Sequence, residues 1–322
     1  MTSAILGTGS ALPAKIVSND DLAQIVETND QWISERTGIR TRHIAVEETT
    51  ETLSIEAGQK ALEDAGIQPE ALGLILVATL TPDGSMPNTA CKVQKALGAV
   101  NAMCYEINAA CSGFMHGVQT AHAFISSGMI EYALVIGAET LSKIMDWTDR
   151  STCVLFGDGA GAAVLGPSSN GILCIEGGAD GSKGNVLTCG NAPLKNPYTA
   201  HDATSPYVSM DGQSVFKFAV RKIPDIVNAL LDRSGHTIED LDCILLHQAN
   251  QRIIQSAAKR LQSDLSLFPM NLDKYGNTSA ASIAILLDEV HHSGQLKKGD
   301  LIAMAGFGGG LTWAGLLLEW VL

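Results

Sequence analysis

The chain repeats itself. Residues 61–66 read ALEDAG, followed by Leu72 and an apolar run at 74–78. Residues 230–235 read LLDRSG, followed by Leu241 and an apolar run at 244–246, each matched position lying 169 residues further on. Both pieces predict a helix closed by glycine, a short acidic turn and a buried strand. A second match follows in the same order. ACSG at 110–113 opens an apolar helical pattern that stops at Gly128, and GNTS at 276–279 opens one that stops at Gly294. Cys111 to Gly128 and Asn277 to Gly294 both span 17 residues, and strands are predicted after them at 133–136 and 301–305. Two copies of one unit, each alternating strand and helix, predict an α/β fold of mainly β-α-β sheets with both faces covered. The halves are placed at 1–168 and 169–322. The register sets Cys111 and Asn277 at equivalent helix starts, and His247 at the end of the strand equivalent to the one ending near Ala78. Packing about a pseudo-twofold axis would bring all three together.

Composition narrows the function classes. With 46% hydrophobic and 17% charged residues the chain is too apolar to be disordered. A net charge of −13 and the lack of a long basic run exclude nucleic acid as the expected partner. No apolar run approaches the ~18 residues a membrane helix needs, and residues 1–6 carry no basic flank of a signal peptide. Seven cysteines, an odd number without a C-x-x-C pair, predict neither a disulfide framework nor a structural zinc site. A reducing cytoplasm, and no metal, are the expectations.

One cysteine differs from the rest. Cys111 lies between a strand-like run and a helix, among small neighbours. A helix start offers free N–H groups and a positive dipole end, which favour thiolate and can hold an oxyanion. A small buried hydrophobe is the ordinary alternative. His247 follows an apolar strand, where it is either a cleft imidazole or a satisfied strand-end histidine. Asn277 reads as a helix N-cap, raised above that only by its pairing with Cys111. Residues 307–310, FGGG, permit close backbone approach to a ligand. The run GDGAG at 157–161 resembles a dinucleotide fingerprint, but residues 162–165 read as strand rather than helix, so NAD binding is rejected. Lys217, Arg221 and Lys222 share one helix face, and Arg252, Lys259 and Arg260 lie on the helix after His247. They are either solvated faces or a site for an acidic partner.

Together these segments resemble a known family. AACSGF at 109–114, HQAN at 247–250 and GNTSAA at 276–281 are similar to β-ketoacyl-[acyl-carrier-protein] synthase III. Trp32 with RTGIR at 36–40, FGDGA at 156–160 and FGGGLTW at 307–313 match as well. The resemblance covers essentially the whole chain. It implies a thiolase-like fold, two duplicated halves forming a five-layer α-β-α-β-α sandwich, in a homodimer. It implies decarboxylative condensation of a short acyl-CoA primer with malonyl-acyl carrier protein, starting type II fatty acid synthesis without a cofactor. Cys111 would take the acyl group, with His247 and Asn277 completing the catalytic set and the Cys111 and Gly309 N–H groups forming the oxyanion hole. A Cys-His-Asn set separates this family from elongating relatives with Cys-His-His. CoA would contact Thr28, Trp32, Arg36, Arg150, Phe216, Ala249 and Asn250, its adenine stacked between Trp32 and Arg150. Gln248, Arg252, Lys217, Lys259 and Arg260 would meet the acidic carrier protein. Met86 aligns with a pocket-wall position that is Phe in acetyl-selective members, so larger or branched primers are expected. A related condensing enzyme of secondary metabolism and a noncatalytic acyl- or CoA-binding paralogue are the competing readings.

Overall fold

The computed structural model describes residues 2–190, 193–201 and 205–322. Nine strands build two main sheets: β1 (Thr2–Ala11), β2 (Leu72–Ala78), β3 (Met103–Ile107), β4 (Tyr132–Glu139), β5 (Gly159–Ser168), β6 (Ile172–Ala179), β7 (Cys243–Leu246), β8 (Leu301–Gly308) and β9 (Thr312–Glu319). The first sheet runs β1-β5-β4-β2-β3 and the second β7-β8-β9-β6. Strands β6, β9, β8 and β7 therefore take the places of β1, β5, β4 and β2, and β3 is an extra edge strand. The sheets are mixed rather than mainly β-α-β. In the first, β4, β2 and β3 are parallel while β5 is antiparallel to both neighbours. In the second, only three residues join β8 to β9, too few for a crossover, so that pair is antiparallel. Strand β5 carries the end of the GDGAG run straight into the sheet, with no helix after it.

Helices fill three layers. The outer face of the first sheet holds α2 (Thr50–Ala65) and α3 (Thr89–Leu97), after the short α1 (Asp30–Thr37) near the N-terminus. Between the sheets lie α4 (Gly113–Ser126) and α7 (Ser282–His292), and the far face holds α5 (Gly212–Ser234) and α6 (Gln251–Arg260). Strand alternation sorts the side chains: in β2, Leu74 and Leu76 pack with Phe114 and Val118 of α4, while Ile75 and Val77 pack with Leu53 and Ala57 of α2. The repeated helices α2 and α5 both stop at a left-handed glycine, Gly66 at φ 64° and Gly235 at φ 74°. The central helices are small-residue rich because they touch backbone. A Cβ on Gly137 of β4 would lie 2.2 Å from the Ala280 carbonyl oxygen, and one on Gly161 of β5 would lie 2.6 Å from the Ala284 Cβ.

Candidate active site

The strand ends of both sheets meet the starts of α4 and α7. Each of these helices is preceded by a 3-10 turn, Ala110–Ser112 and Ser279–Ala281, and each turn begins at a positive φ, 45° at Ala110 and 48° at Ser279. Both features recur at a separation of 169 residues. The structural counterpart of Cys111 is thus Ala280, and that of Asn277 is Asn108, which corrects the pairing of Cys111 with Asn277. The cause is that α4 has 14 residues and α7 has 11, so counting back from the terminal glycines slips by one turn. The two asparagines do the same local job. Asn108 Oδ1 accepts the Ala110 N–H at 3.2 Å and Asn277 Oδ1 accepts the Ser279 N–H at 2.9 Å. This leaves the Asn277 Nδ2 amide without a hydrogen-bond partner among the described residues.

His247 sits one residue past β7, buried, its N–H donating to the Ala305 carbonyl at 3.0 Å. Its ring meets Phe307 edge-on, with centroids 5.4 Å apart. Nδ1 lies 2.6 Å from the Ser282 hydroxyl, which accepts the Gln248 N–H at 3.2 Å. We assign the Ser282 proton to Nδ1 from this network, so that Nε2 carries the ring hydrogen. Burial pushes the imidazole down to about 3, so it is neutral. Ser282 escaped the sequence reading, although it stands three residues after Ser279 at the head of the same helix. Replacing it, Ser282→Ala, frees the tautomer. The expected result is a condensation kcat lower by about 10-fold with KM unchanged, checked by steady-state kinetics.

Cys111, His247 and Asn277 converge, although not through the register in which the sequence paired Cys111 with Asn277. All three line one narrow cavity of about 90 Å³, with Phe216, Ala249, Asn250 and Phe307. Cys111 also lines a wider cavity of about 630 Å³, with Thr79, Thr81, Phe156, Leu187, Ser279 and Gly309. The nucleophile candidate thus stands at a junction. The β8 end closes over it: a Cβ on Gly308 would fall 2.6 Å from the Cys111 nitrogen, so only glycine allows this approach. One expectation changes. Cys111 is not thiolate-favouring here, because burial pushes the thiol up to about 12 and outweighs the lowering by Ser279 and its own backbone N–H.

Two family models match, 3-oxoacyl-[acyl-carrier-protein (ACP)] synthase III over residues 105–181 and its C-terminal partner over 231–320. A β-ketoacyl-[acyl-carrier-protein] synthase III of Clostridium acetobutylicum is 48% identical over 318 residues, 98% of each chain. One of Caldanaerobacter subterraneus is 50% identical over 325 residues, 99% of this chain and 98% of the relative. The crystal structure of 3-oxoacyl-[acyl-carrier-protein] synthase III from Aquifex aeolicus superposes with a TM-score of 0.93 at 44% identity, covering 99% of this chain and 100% of that one. The chain belongs to the 3-oxoacyl-[acyl-carrier-protein] synthase III family. It is a condensing acyltransferase with the thiolase fold.

The remaining residues expected of a synthase III are unevenly placed. Phe216, Ala249 and Asn250 line the narrow cavity. Asn250 Nδ2 donates to the Arg36 carbonyl at 3.0 Å, which ties that cavity to α1. There the Arg36 guanidinium lies 4.7 Å and the Arg150 guanidinium 5.0 Å from the ring centre of Trp32. An adenine between Trp32 and Arg150 needs two stacked layers, roughly 7 Å, so Arg150 must swing outward to admit one. Nearby, the buried Thr28 hydroxyl has no hydrogen-bond partner among the described residues. Lys217, Arg252, Lys259 and Arg260 are exposed, and Arg252 Nη2 donates to the Glu35 carbonyl at 2.6 Å.

Two placements fail. Gln248 is buried, its Nε2 donating to the Leu246 carbonyl at 2.8 Å and its Oε1 accepting the Asn271 N–H at 3.2 Å, so it cannot meet a carrier protein. Met86 is 89% exposed and walls neither cavity of its own chain, although its neighbours Gly84 and Ser85 do line the wide one. The cysteine count was also blind to histidine. Asp64, His291 and His292 bring potential ligand atoms within 4.8 Å of one another. The Thr8 N–H already holds Asp64 at 2.8 Å, and Thr8 and Ser10 hydroxyls hold Asp288 beside them at 2.8 and 2.6 Å. The group reads as pairing that fastens the ends of α2 and α7 to β1.

Proposed function

We propose that this chain starts fatty acid synthesis by condensing a short acyl-CoA with malonyl-acyl carrier protein, through an acyl group on Cys111. The convergence of Cys111, His247 and Asn277 on one narrow cavity carries the reading. The Cys111 sulfur attacks the primer thioester, and the Cys111 and Gly309 N–H groups hold the oxyanion. Each such donor is worth about 3 kcal/mol. CoA leaves, and the malonyl-carrier arm enters. Loss of carbon dioxide places negative charge on the malonyl thioester oxygen. His247 Nε2–H and the free Asn277 amide donate to that oxygen, a role that needs a neutral ring. The carbanion attacks the acyl carbonyl and expels the Cys111 sulfur, giving 3-oxoacyl-carrier protein. Decarboxylation drives the step, so the reaction calls on no metal or redox cofactor.

The CoA adenine stacks on Trp32 and its pantetheine passes Asn250 and Phe216. Carrier protein docks on Arg252, with Lys217, Lys259 and Arg260 around it, a cationic island in an acidic chain that works as a cytoplasmic homodimer. Arg252→Glu is expected to raise KM for malonyl-carrier protein by about 10-fold while leaving KM for acyl-CoA within about twofold. Direct assay tests the whole reading. Acyl-CoA with malonyl-carrier protein must yield one carbon dioxide and one 3-oxoacyl-carrier per turnover. Stable acyl-CoA binding without turnover would instead identify a noncatalytic paralogue.

A further inference from the structure

The Cys111 proton has no obvious destination. His247 is committed to Ser282 through Nδ1 and is held neutral by burial, so it is a poor base for a buried thiol. A different acceptor faces the turn from the other side. Glu139, the last residue of β4, ends a continuous apolar strand and is fully buried. Its carboxylate accepts the Thr81 hydroxyl, the Thr79 hydroxyl at 3.2 Å and the Leu80 N–H at 3.2 Å. The turn that carries Ser279 packs against both the end of β4 and the Cys111 turn. Ser279 lines the same cavity as Cys111 and the two threonines that hold Glu139, and its buried hydroxyl has no hydrogen-bond partner among the described residues, while it lowers the pKa of both the Cys111 thiol and the Glu139 carboxyl. Ser279 is also one of three non-glycine residues at positive φ among the described residues, at 48°. The repeat sharpens the contrast. Glu139 and Gly308 are 169 residues apart, so where the second half places glycine against Cys111, the first half places a carboxylate beside the Ser279 turn.

We propose that Ser279 and Glu139 form a proton relay that takes the Cys111 proton during acylation and returns it during condensation. The inference rests on the reading of Cys111 as the acyl acceptor. In the first half-reaction the S–H bond breaks as the S–C bond forms. The thiol proton passes to the Ser279 oxygen, the Ser279 proton passes to Glu139, and CoA leaves as thiolate and takes its proton from solvent. In the second half-reaction the C–S bond to Cys111 breaks, and Glu139 returns its proton through Ser279 to the sulfur. Carbon dioxide leaves and the charge of the malonyl carboxylate ends on Glu139, so atoms and charge balance. Burial pushes Glu139 up to about 7, which lets it hold or release a proton near neutrality. The titratable groups on its side are Cys111 before α4 and Lys143, which donates to the Thr81 carbonyl at 2.6 Å and pairs with Asp83 at 3.3 Å, and Glu106 lines the cavity that Cys111, Thr79 and Thr81 share.

The two half-reactions test the relay separately. Acylation by a primer that the native protein accepts is followed by rapid quench and intact mass from about pH 6 to about pH 9, and decarboxylation by release of label from malonyl-carrier protein. Native acylation is expected to rise through about pH 7, where Glu139 becomes the base. Glu139→Gln should lose that rise and acylate at least about 30-fold more slowly at about pH 8, while still decarboxylating within about threefold of native. Ser279→Ala should behave alike, and Glu139→Asp should recover part of the rate and the pH rise. The proposal is overturned if Glu139→Gln keeps the native rate and pH rise, or if decarboxylation falls in parallel with acylation. Should Glu139→Gln not fold, Ser279→Ala decides by the same two readouts. If the native protein accepts no primer, the functional reading fails rather than the relay.

Discussion

Cys111→Ala is expected to take up no acyl group from any acyl-CoA, and condensation should fall by at least about 1,000-fold. The substitution removes the sulfur that carries the thioester in the proposed reaction. It leaves His247, the free Asn277 amide and the Phe307 edge in place, and so spares the groups that would hold the enolate. The variant should therefore keep releasing carbon dioxide from malonyl-carrier protein, now to give acetyl-carrier protein. Intact mass after acyl-CoA incubation checks the first outcome and product analysis the second. An adduct that survives Cys111→Ala would move the nucleophile elsewhere. Loss of both partial reactions together would mean that the turn at 110–112 had collapsed.

The second large effect is on stability. In Gly137→Ala the new methyl would stand 2.2 Å from the Ala280 carbonyl oxygen, an atom of backbone held by the 3-10 turn before α7. Neither strand β4 nor that turn can yield without moving Ser279 and Asn277 away from Cys111. The expected cost is at least about 3 kcal/mol, read as a Tm lower by roughly 4 °C or more, together with loss of condensation. Gly66→Ala is the control. Its Cβ meets nothing, and the left-handed φ of 64° should cost only about 1 kcal/mol with activity intact.

Much of this was legible in the sequence, for identifiable reasons. The duplication survives as matched helix ends at Gly66 and Gly235 because a left-handed cap tolerates little but glycine. It survives as apolar runs in β2 and β7 because strands covered on both faces must be apolar throughout. What failed depended on length and on contacts. A helix longer by one turn shifted the apparent mate of Cys111 from Ala280 to Asn277, since glycine marks where a helix ends and not where it begins. Gln248 sits in a motif with surface neighbours, but its side chain closes backbone groups of Leu246 and Asn271. Met86 is a wall residue by alignment and an exposed one within its own chain. Glu139 was missed although a carboxylate ending an apolar strand is itself a signal, because motif reading looks for known spacings and not for a charge out of place.

Cys111 lines both a wide cavity of about 630 Å³ and a narrow one of about 90 Å³, and that bears on the order of events. A volume of about 90 Å³ has room for one thioester arm at a time. Under the proposed reaction the first product must leave before the second substrate enters, so parallel lines are expected in double-reciprocal plots. Free CoA would then compete with the carrier-bound substrate for one doorway.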